Sequence, residues 1–380
     1  MRRCRWLFLL VALSGCGGGT LFTPLDSGRG NWLVTGGGEG GLSSVAEGPA
    51  PPLELLWSHD IGSPPVGGAL LAGSLLVQAT QGERLYAFDL ATGDRIGRKG
   101  SKAALCGPPA IIGDVGDLLL TSEAGRKPRV RAYHRRTRKI AWEIEDHACE
   151  PISGRGDTAL VVTSSGEVLA VSSSDGEQIW SVTLPHHPTT GAVFTQTLAI
   201  VGGEDGALMA LELSDGTIAW QARLGNTGAA IRGQPSATQE HIFAATADGR
   251  IWCLTRAGVV VWSSEISGIP ALGLSVIAET LVVGSSDRGV YALNTGDGHR
   301  RWRYEAAGII RSTVAMTDQV VYVAGSAGIL EALSLESGSQ IWSLELDGPV
   351  HTPVVLARDL LTVTTQTGTV YLFAAQSALR

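Results

Sequence analysis

Short runs of apolar residues, most of them five or six residues long, follow one another from residue 53 almost to the end of the chain. Residues 208–220, LMALELSDGTIAW, show the unit: an apolar run, a turn at Ser214-Asp215-Gly216, and a second run that ends in Trp220. Runs of this length with turn residues between them predict β-strands joined by hairpins. The pattern therefore predicts an all-β protein.

The same unit returns with a period near 40 residues, and tryptophan ends it at Trp142, Trp180, Trp220, Trp262, Trp302 and Trp342. Counting backwards, the next position falls on Gly97 and the one before it on Trp57. Each of the eight repeats has room for four strands. Four antiparallel strands at this period are typical of a β-propeller blade. The pattern predicts an eight-bladed β-propeller over residues 53–380.

The two ends of the repeat region complement each other. The last repeat supplies three strands, and the missing fourth strand, with Trp57, is found in residues 53–59. Pairing of these segments would close the ring and remove the open sheet edges. We expect Trp57 to belong to the last blade. Because an indole buries a large apolar surface, we expect all seven tryptophans to pack blades together and not to take part in chemistry.

Residues 1–15 have the composition of an export signal. A basic start precedes an apolar run at residues 6–13, which is too short to span a bilayer. The run ends in Leu13-Ser14-Gly15-Cys16, which resembles the bacterial lipobox. This resemblance implies cleavage before Cys16 and lipidation of that cysteine, which would anchor the chain to a membrane. A plain signal peptide followed by an unrelated cysteine is the alternative interpretation.

Residues 16–52 are rich in Gly and Pro and predict a tether between Cys16 and the propeller. Trp32 is unusual in such a segment, and we expect it to dock on the folded domain. Gly17 follows the cysteine at the position where an aspartate favours retention in the inner membrane. The resemblance to bacterial lipoproteins therefore implies the periplasmic side of the outer membrane of a Gram-negative bacterium.

Composition and charge limit the classes of partner. The chain has 50 glycines and only 17% charged residues, which suits short strands and many turns. Its net charge of −7 argues against nucleic acid as a partner, because phosphate binding needs clustered Lys and Arg. The basic run at residues 126–139 is an exception. We interpret it as a solvated hairpin within one repeat.

The motif Ala87-x-Asp89-x-x-Thr92-Gly93, followed by tryptophan in the other copies, resembles the tryptophan-docking repeat of pyrroloquinoline-quinone (PQQ) proteins. The resemblance covers about residues 53–376. Two groups share this repeat. One contains the quinoprotein alcohol dehydrogenases, which are eight-bladed enzymes. The other contains non-catalytic lipoproteins, chiefly the B subunits (BamB) of the outer-membrane β-barrel assembly machinery.

The dehydrogenase resemblance implies a quinone held between a tryptophan and a disulfide of two adjacent cysteines, with calcium bound by Glu, Asn and Asp. The cysteines here include no adjacent pair: they are Cys4, Cys16, Cys106, Cys149 and Cys253. No carboxylate cluster has calcium-loop spacing, and the common nucleophile and phosphate motifs are missing from the sequence. We therefore expect no enzymatic activity and no cofactor. A PQQ-dependent oxidoreductase or another ligand-binding propeller is the alternative.

The lipoprotein resemblance implies a lipid-anchored, monomeric propeller that acts as a scaffold for protein–protein interaction in outer-membrane protein assembly. In those lipoproteins, loops on one face hold a periplasmic domain of the barrel-inserting subunit. The corresponding loops here are residues 184–188, with His186 and His187, and residues 225–235, with Arg232. The partner implied is an envelope protein, such as a subunit of the assembly machinery.

The loops before the inner strands carry a recurring position occupied by Cys106, Cys149, His186, Arg311 and His351. We expect this position to surround one mouth of the central channel. Three interpretations remain open. Cys106 and Cys149 could form a disulfide in the oxidising periplasm, the Cys and His residues could bind a metal, or all could be ordinary polar loop residues. Cys253 lies in an apolar strand, which predicts a buried thiol.

Overall fold

The computed structural model describes residues 19–25, 31–38, 40–113, 115–225, 228–357 and 359–376. The predicted export signal and Cys16 lie outside these residues. Within them, the structure contains 32 β-strands and one 3₁₀ turn at Glu204–Gly206. In this part of the chain, no helix has the length and apolarity needed to cross a membrane.

The strands form eight four-stranded antiparallel sheets, one for each blade, and are numbered in chain order from β1 (Leu53–Asp60). Blades 1 and 2 contain β2 (Leu70–Ala72), β3 (Leu75–Thr80), β4 (Arg84–Asp89), β5 (Arg95–Gly100), β6 (Ala110–Ile112), β7 (Leu118–Glu123), β8 (Arg129–His134) and β9 (Ile140–Ile144). Blades 3 and 4 contain β10 (Ser153–Arg155), β11 (Thr158–Val162), β12 (Glu167–Ser172), β13 (Gln178–Thr183), β14 (Val193–Phe194), β15 (Leu198–Gly202), β16 (Ala207–Glu212) and β17 (Ile218–Arg223).

Blades 5 and 6 contain β18 (Ser236–Ala237), β19 (His241–Thr246), β20 (Arg250–Thr255), β21 (Val260–Glu265), β22 (Ser275–Ile277), β23 (Thr280–Gly284), β24 (Gly289–Asn294) and β25 (Arg300–Glu305). Blades 7 and 8 contain β26 (Ala315–Met316), β27 (Val320–Ala324), β28 (Ile329–Ser334), β29 (Gln340–Glu345), β30 (Val355–Ala357), β31 (Leu360–Thr364) and β32 (Thr369–Ala375). The eight-bladed, all-β architecture predicted from the repeat is confirmed.

Burial along the strands explains the apolar pattern of the sequence. The second strand of each blade is covered on both faces, and all six residues of β3 and of β7 are buried. The outermost strands alternate instead, because only one of their faces packs on the next blade. In β13 the side chains around the buried Trp180 are mostly exposed.

The ring is closed by pairing the two ends of the propeller. Strand β1 pairs antiparallel with β32, with Leu53 opposite Ala375 and Asp60 opposite Thr369. This sheet joins β1 to the three last strands, so that blade 8 has four strands like the others. The predicted closure is confirmed. It satisfies the backbone groups that β1 and β32 would otherwise expose at two open edges.

Tryptophans join neighbouring blades. Six of them donate an Nε1–H hydrogen bond to a backbone carbonyl of the next blade, at 2.8–3.1 Å: Trp57, Trp142, Trp180, Trp220, Trp262 and Trp302. Each of these rings also lies against the turn glycine of that blade. Trp342 packs against the shared core of blades 7 and 8. The acceptor of Trp57 is Leu90 in blade 1, so the same contact continues across the ring closure.

Blade 1 has glycine at the tryptophan position, and the chain's N-terminal part fills the gap. Gly97 forms a β-bridge with Gly19, and the Thr20 amide donates to the Ile96 carbonyl at 2.9 Å. A Cβ on Gly97 would lie 1.8 Å from the Thr20 carbonyl oxygen. Leu21 is fully buried in the core of blades 1 and 2. We call residues 19–25 the N-terminal strap.

Further along, the chain crosses the end of the channel. Trp32 exchanges backbone hydrogen bonds with Leu71 of blade 1 at 2.8 and 3.0 Å, and only 3% of the residue is exposed. The Ala237 amide of blade 5 donates to Gly40, and Val45 donates to Met316 of blade 7. We call residues 31–38 and 40–46 the channel floor.

The described part of the predicted tether therefore packs on the propeller. Composition pointed to a flexible segment because Gly and Pro dominate it, but Leu21, Trp32 and Val34 each enter an apolar core. Glycine suits a segment that approaches several inner strands closely, as Gly40 does at Ala237, where a Cβ would lie 2.3 Å from the carbonyl oxygen. The docking expected for Trp32 is confirmed. The domain boundary at residue 52 stays a prediction.

Candidate functional site

The loops that enter the blades surround one mouth of the central channel, and the channel floor lies at the other end. Between them is a cavity of about 330 Å³. Thr35 of the floor lines it together with mostly small, uncharged residues of the entering loops. Glu150 and His351 are the ionisable side chains of this lining. The site is therefore a blind recess that opens to solvent on one face of the propeller.

The entering loops are held in place by their own blades. Pro65, Pro188 and Pro270 each form a single β-bridge with the end of the second strand of the blade that they enter, or with the residue after it. Proline lacks an N–H and has a fixed φ, so it suits a position where the chain turns into the channel without further pairing. The mouth is consequently built from short loops that are fixed at their centres.

Cys106 and Cys149 form a disulfide, with their Cα atoms 5.1 Å apart. It joins the loop that enters blade 2 to the loop that enters blade 3. Of the three interpretations drawn from the sequence, the structure therefore corresponds to the first. Cys253 is a buried free thiol whose pKa burial raises to about 12.

A histidine that sequence reasoning missed lies beside the disulfide. The His147 Nε2 atom is 3.4 Å from the Cys149 sulfur, and its Nδ1 atom is 2.5 Å from the Ser164 hydroxyl. Cys106, His147 and Cys149 have ligand atoms within 4.8 Å of one another, as a metal site requires. In the disulfide, however, the two sulfurs are bonded to each other, and one imidazole remains. The His-x-Cys spacing was the signal that could have identified His147.

Glu150, the residue after Cys149 of the disulfide, lines the cavity. Burial raises the pKa of its carboxyl group to about 7, so that at neutral pH the protonated and ionised forms are both populated. His351 lies across the lining, and its pKa is lowered by burial and then by the positive charge of Arg311. The recess thus presents little fixed charge at neutral pH.

The other candidate residues occupy the rim of the mouth. Arg311 is exposed, and Arg232 is half-buried and donates from Nε to the Pro270 carbonyl at 3.1 Å. His187 is exposed and His186 half-buried on the loop that enters blade 4, outside the lining of the recess. The structure therefore brings together Cys106 with Cys149 and Arg311 with His351. It leaves His186, His187 and Arg232 as separate points on the rim.

A second depression on the same face adjoins the recess. It has a volume of about 670 Å³, is lined by loops of blades 8, 1 and 2, and shares His351 with the recess. Cys106 and Gln366 also lie in its wall. The mouth face is therefore concave over several blades, a shape suited to a protruding segment of another protein.

The recess differs from the quinone site that the dehydrogenase resemblance implies. Its described lining contains no tryptophan, and its floor is the backbone around Thr35. A flat aromatic cofactor would need a face on which to stack, and a calcium ion would need several oxygen ligands beyond the single carboxylate of Glu150. The residues present do not fit this cofactor and its metal.

Comparison with known proteins identifies the family. The family described as "Outer membrane protein assembly factor BamB" matches residues 52–193, 164–308 and 286–380. BamB of Moranella endobia (strain PCIT) is 26% identical over 251 residues, 60% of this chain and 62% of that protein. BamB of Bordetella pertussis (strain Tohama I) is 25% identical over 244 residues, 58% of this chain and 60% of that protein. The matches thus span about three fifths of each relative.

Solved structures share the fold. The crystal structure of BamB from Moraxella catarrhalis has a TM-score of 0.71 at 19% identity, covering 85% of this chain and 99% of that one. The quinohemoprotein alcohol dehydrogenase ADHIIG from Pseudomonas putida HK5 has a TM-score of 0.74 at 10% identity, covering 91% and 80%. At these identities both show the propeller fold alone. The family matches together extend over residues 52–380, so the chain belongs to the BamB family of outer membrane protein assembly factors.

Proposed function

We propose that this protein is a non-catalytic propeller scaffold that binds another envelope protein during outer-membrane protein assembly. The match of residues 52–380 to the BamB family carries the proposal. The names of the relatives in M. endobia and B. pertussis describe those proteins as outer membrane protein assembly factors. The recess is compatible with a scaffold: among the residues that the structure describes, Glu150 and His351 are the ionisable side chains of its lining.

We further propose that residues 1–15 are removed as an export signal and that Cys16 carries the lipid anchor. The protein would then face the periplasm from the outer membrane, with residues 16–52 leading to the propeller at 53–380. The Cys106–Cys149 disulfide supports export, because structural disulfides persist in oxidising compartments and are rare in the cytosol.

We infer that the partner, a subunit of the β-barrel assembly machinery, docks on the mouth face. The loops that enter blades 4 and 5 carry His187 and Arg232 on this rim. The loop backbone is fixed there, since Glu204 donates to the His187 carbonyl and Arg232 donates to Ala245. A pre-formed, concave surface binds with little cost in ordering its loops.

Site-specific photocrosslinking in cells tests the docking face. A photoreactive residue would replace His187, Arg232 or Arg311 in turn, with Glu240 as the matched control. Glu240 is exposed on the turn between the first two strands of blade 5, at the opposite end of the blade from Arg232. We expect a barrel-assembly subunit to be captured from the mouth positions and not from Glu240. Capture from Glu240 alone would contradict the proposed face.

Titration with PQQ and calcium tests the oxidoreductase alternative. Because the described lining of the recess has neither an aromatic floor nor a set of oxygen ligands, we expect no saturable change in the PQQ absorbance and no dye reduction with alcohols or sugars. Stoichiometric binding with dye reduction would overturn the scaffold proposal.

A further inference from the structure

The N-terminal strap fixes the start of the described chain to the outer junction of blades 1 and 2. The buried Arg135 donates from Nε to the Leu21 carbonyl at 2.9 Å and from Nη1 to the Gly116 carbonyl. The guanidinium carbon of Arg136 lies 3.8 Å from the centre of the Phe22 ring. With Leu21 fully buried, the strap is an integral part of this junction.

Five basic side chains surround the same junction. Arg98, Lys99 and Arg138 line one shallow depression between blades 1 and 2. The Lys99 Nζ atom lies 4.7 Å from the centre of the Tyr133 ring. Lys102 is exposed and close enough to Lys99 to interact with it electrostatically, and Arg136 is exposed beside the strap. We call Arg98, Lys99, Lys102, Arg136 and Arg138 the basic rim.

The charge of this region is opposite to that of the protein as a whole. Residues 95–139 contain 12 Lys and Arg against 3 Asp and Glu, although the chain has a net charge of −7. Two exposed acidic side chains lie in and directly after the adjoining strand β9, Glu143 and Glu145. Both are paired with Arg129, and Glu143 is also paired with Arg131. Glu123 pairs with Arg131 inside blade 2. Arg129 and Arg131 pair with these acids, although Glu123 also lies close enough to Lys99, and Glu143 to Lys102, to interact with them electrostatically.

The chain between Cys16 and the strap is short. Gly17 and Gly18 separate Cys16 from Gly19. A chain spans at most about 3.6 Å per residue, so Cys16 is covalently restricted to within about 11 Å of Gly19. An acyl chain attached to Cys16 must enter the bilayer. The junction of blades 1 and 2 would then lie about one Debye length, roughly 8–10 Å, from the headgroups.

We propose that the basic rim is a membrane-binding surface for anionic phospholipid headgroups, which orients the propeller on the bilayer. This proposal rests on the proposed lipidation of Cys16, and not on the identity of the protein partner. Basic residues next to a lipid anchor strengthen the binding of the protein to an anionic membrane surface. The strap ties the anchor to blades 1 and 2. The propeller is therefore held by its side, with the mouth face free to meet a partner.

Vesicle binding of a non-lipidated chain tests the surface. The Cys16→Ser chain, exported behind a leader that is cleaved without lipidation, is mixed with vesicles of phosphatidylethanolamine and phosphatidylglycerol, or of phosphatidylcholine alone, and sedimented. We expect binding to the anionic vesicles that falls at least about tenfold when salt rises from about 0.05 to about 0.5 M. Equal binding to both kinds of vesicle, or none to the anionic ones, would overturn the proposal.

Two variants with the same change in net charge test whether vesicle binding depends on the basic rim in particular. In the first, R98E, K102E and R136E are combined, all at exposed positions of the basic rim. In the control, R223E, R300E and R301E are combined, at exposed positions of blades 4 and 6. We expect at least about tenfold weaker binding for the first and near-unchanged binding for the control. An equal loss in both would show a general charge effect and contradict the proposal.

Hydrogen exchange of the lipidated, otherwise unmodified chain on anionic vesicles tests the orientation. We expect slower exchange in β5 and in residues 134–139 than in the protein held in detergent, and unchanged exchange in blades 5 and 6. Slower exchange at the mouth loops instead would overturn the orientation. Mass spectrometry of the N-terminal peptide tests lipidation separately, and crosslinking from the mouth tests the scaffold role.

Discussion

At each blade junction with a tryptophan hydrogen bond, the indole ring lies directly against a turn glycine of the next blade, where a larger side chain would not fit. Gly216 has a φ of +75°, and a Cβ there would lie 2.4 Å from the Trp180 ring. Gly156 has a φ of +55°, but a Cβ there would meet no atom of the described residues within 4 Å. The two glycines share the left-handed backbone and differ in the stacked ring. Comparing them separates the cost of the backbone from the cost of displacing the indole.

We expect Gly216→Ala to lower the free energy of unfolding by about 3–4 kcal/mol and Gly156→Ala by only about 1–2 kcal/mol. Urea unfolding followed by tryptophan fluorescence measures both. Equal losses in the two variants would show that the backbone, and not the indole, requires glycine at position 216.

A single carboxyl group makes the recess sensitive to pH. Folding raises the pKa of Glu150 from 4.5 to about 7, because burial disfavours its ionised form. The unfolded chain therefore ionises first, and stability declines as pH rises from about 4.5 to about 7. The loss is at most about 3–4 kcal/mol and is reduced by the partial exposure of the side chain.

Glu150→Gln removes this ionisation. We expect the variant to unfold at a higher temperature than the wild type at pH 8, while the difference shrinks towards pH 5. Thermal unfolding at the two pH values measures it, with the exposed Glu240→Gln as control. A Glu150→Gln variant with the same shift at both pH values would contradict a raised pKa.

The strap occupies the space in blade 1 that a tryptophan side chain fills in the other blades. In blade 1 the Gly97 position leaves a groove along β5, and Thr20 and Leu21 occupy it. A methyl group at position 97 would meet the Thr20 carbonyl at 1.8 Å, whereas Gly100 in the same strand has no atom within 4 Å of its added Cβ. Restoring a side chain at Gly97 should therefore expel the strap.

We expect Gly97→Ala to expose residues 19–25 to protease and to cost about 1–3 kcal/mol of stability, with little change for Gly100→Ala. Limited proteolysis with mass spectrometry of the N-terminal fragments provides the measurement. Identical fragments from both variants would show that the strap does not depend on Gly97.

The disulfide connects two entering loops across a sequence separation of 43 residues. A cross-link of this span restricts the unfolded chain by up to about 4 kcal/mol. We expect the Cys106→Ala/Cys149→Ala double variant to lose about 2–4 kcal/mol in urea unfolding without reductant. In the presence of reductant, wild type and variant should converge. A variant as stable as the oxidised wild type would contradict this contribution.

Features that repeat could be predicted in detail, whereas in the N-terminal segment, which occurs once, only the docking of Trp32 could be predicted. The period, the packing tryptophans and the closure by β1 could be predicted because the sequence contains eight copies of the unit. Each copy has buried strands and turn residues at the same positions. The strap and the floor have no second copy. Their apolar residues, such as Leu21 and Trp32, are few among many glycines, and their partners are distant in sequence.

The candidate site was predictable only as a set of loops. Aligned positions placed Cys106 beside Cys149 because adjacent blades repeat the same loop. The pKa of Glu150 and the position of His147 depend on how the loops fold over the channel, which no local pattern records. The basic run at 126–139 predicts a solvated hairpin, and β8 and β9 form this hairpin. What the run does not reveal is that Arg138 of the turn lies beside Arg98 and Lys99 of blade 1 and that Arg136 packs on Phe22 of the strap.

At the scale of the whole molecule, the strap, the basic rim, the floor and the mouth together define how the propeller would sit on a membrane. The strap and the basic rim lie at the junction of blades 1 and 2, the floor lies at one end of the channel, and the mouth opens at the other end. A chain held to the membrane by its blade 1–2 side would present the mouth to proteins in the periplasm. The proposed docking face and the proposed membrane surface are thus compatible.

Capture of the intact protein from outer membranes tests the scaffold role. The wild-type chain, with its leader and Cys16 unchanged and a C-terminal affinity tag, is crosslinked in cells, extracted in detergent and purified, and its partners are quantified by mass spectrometry. We expect a subunit of the β-barrel assembly machinery in near-stoichiometric amount, reduced when His187, Arg232 and Arg311 are replaced together. Recovery of an unrelated envelope protein in its place would contradict the account.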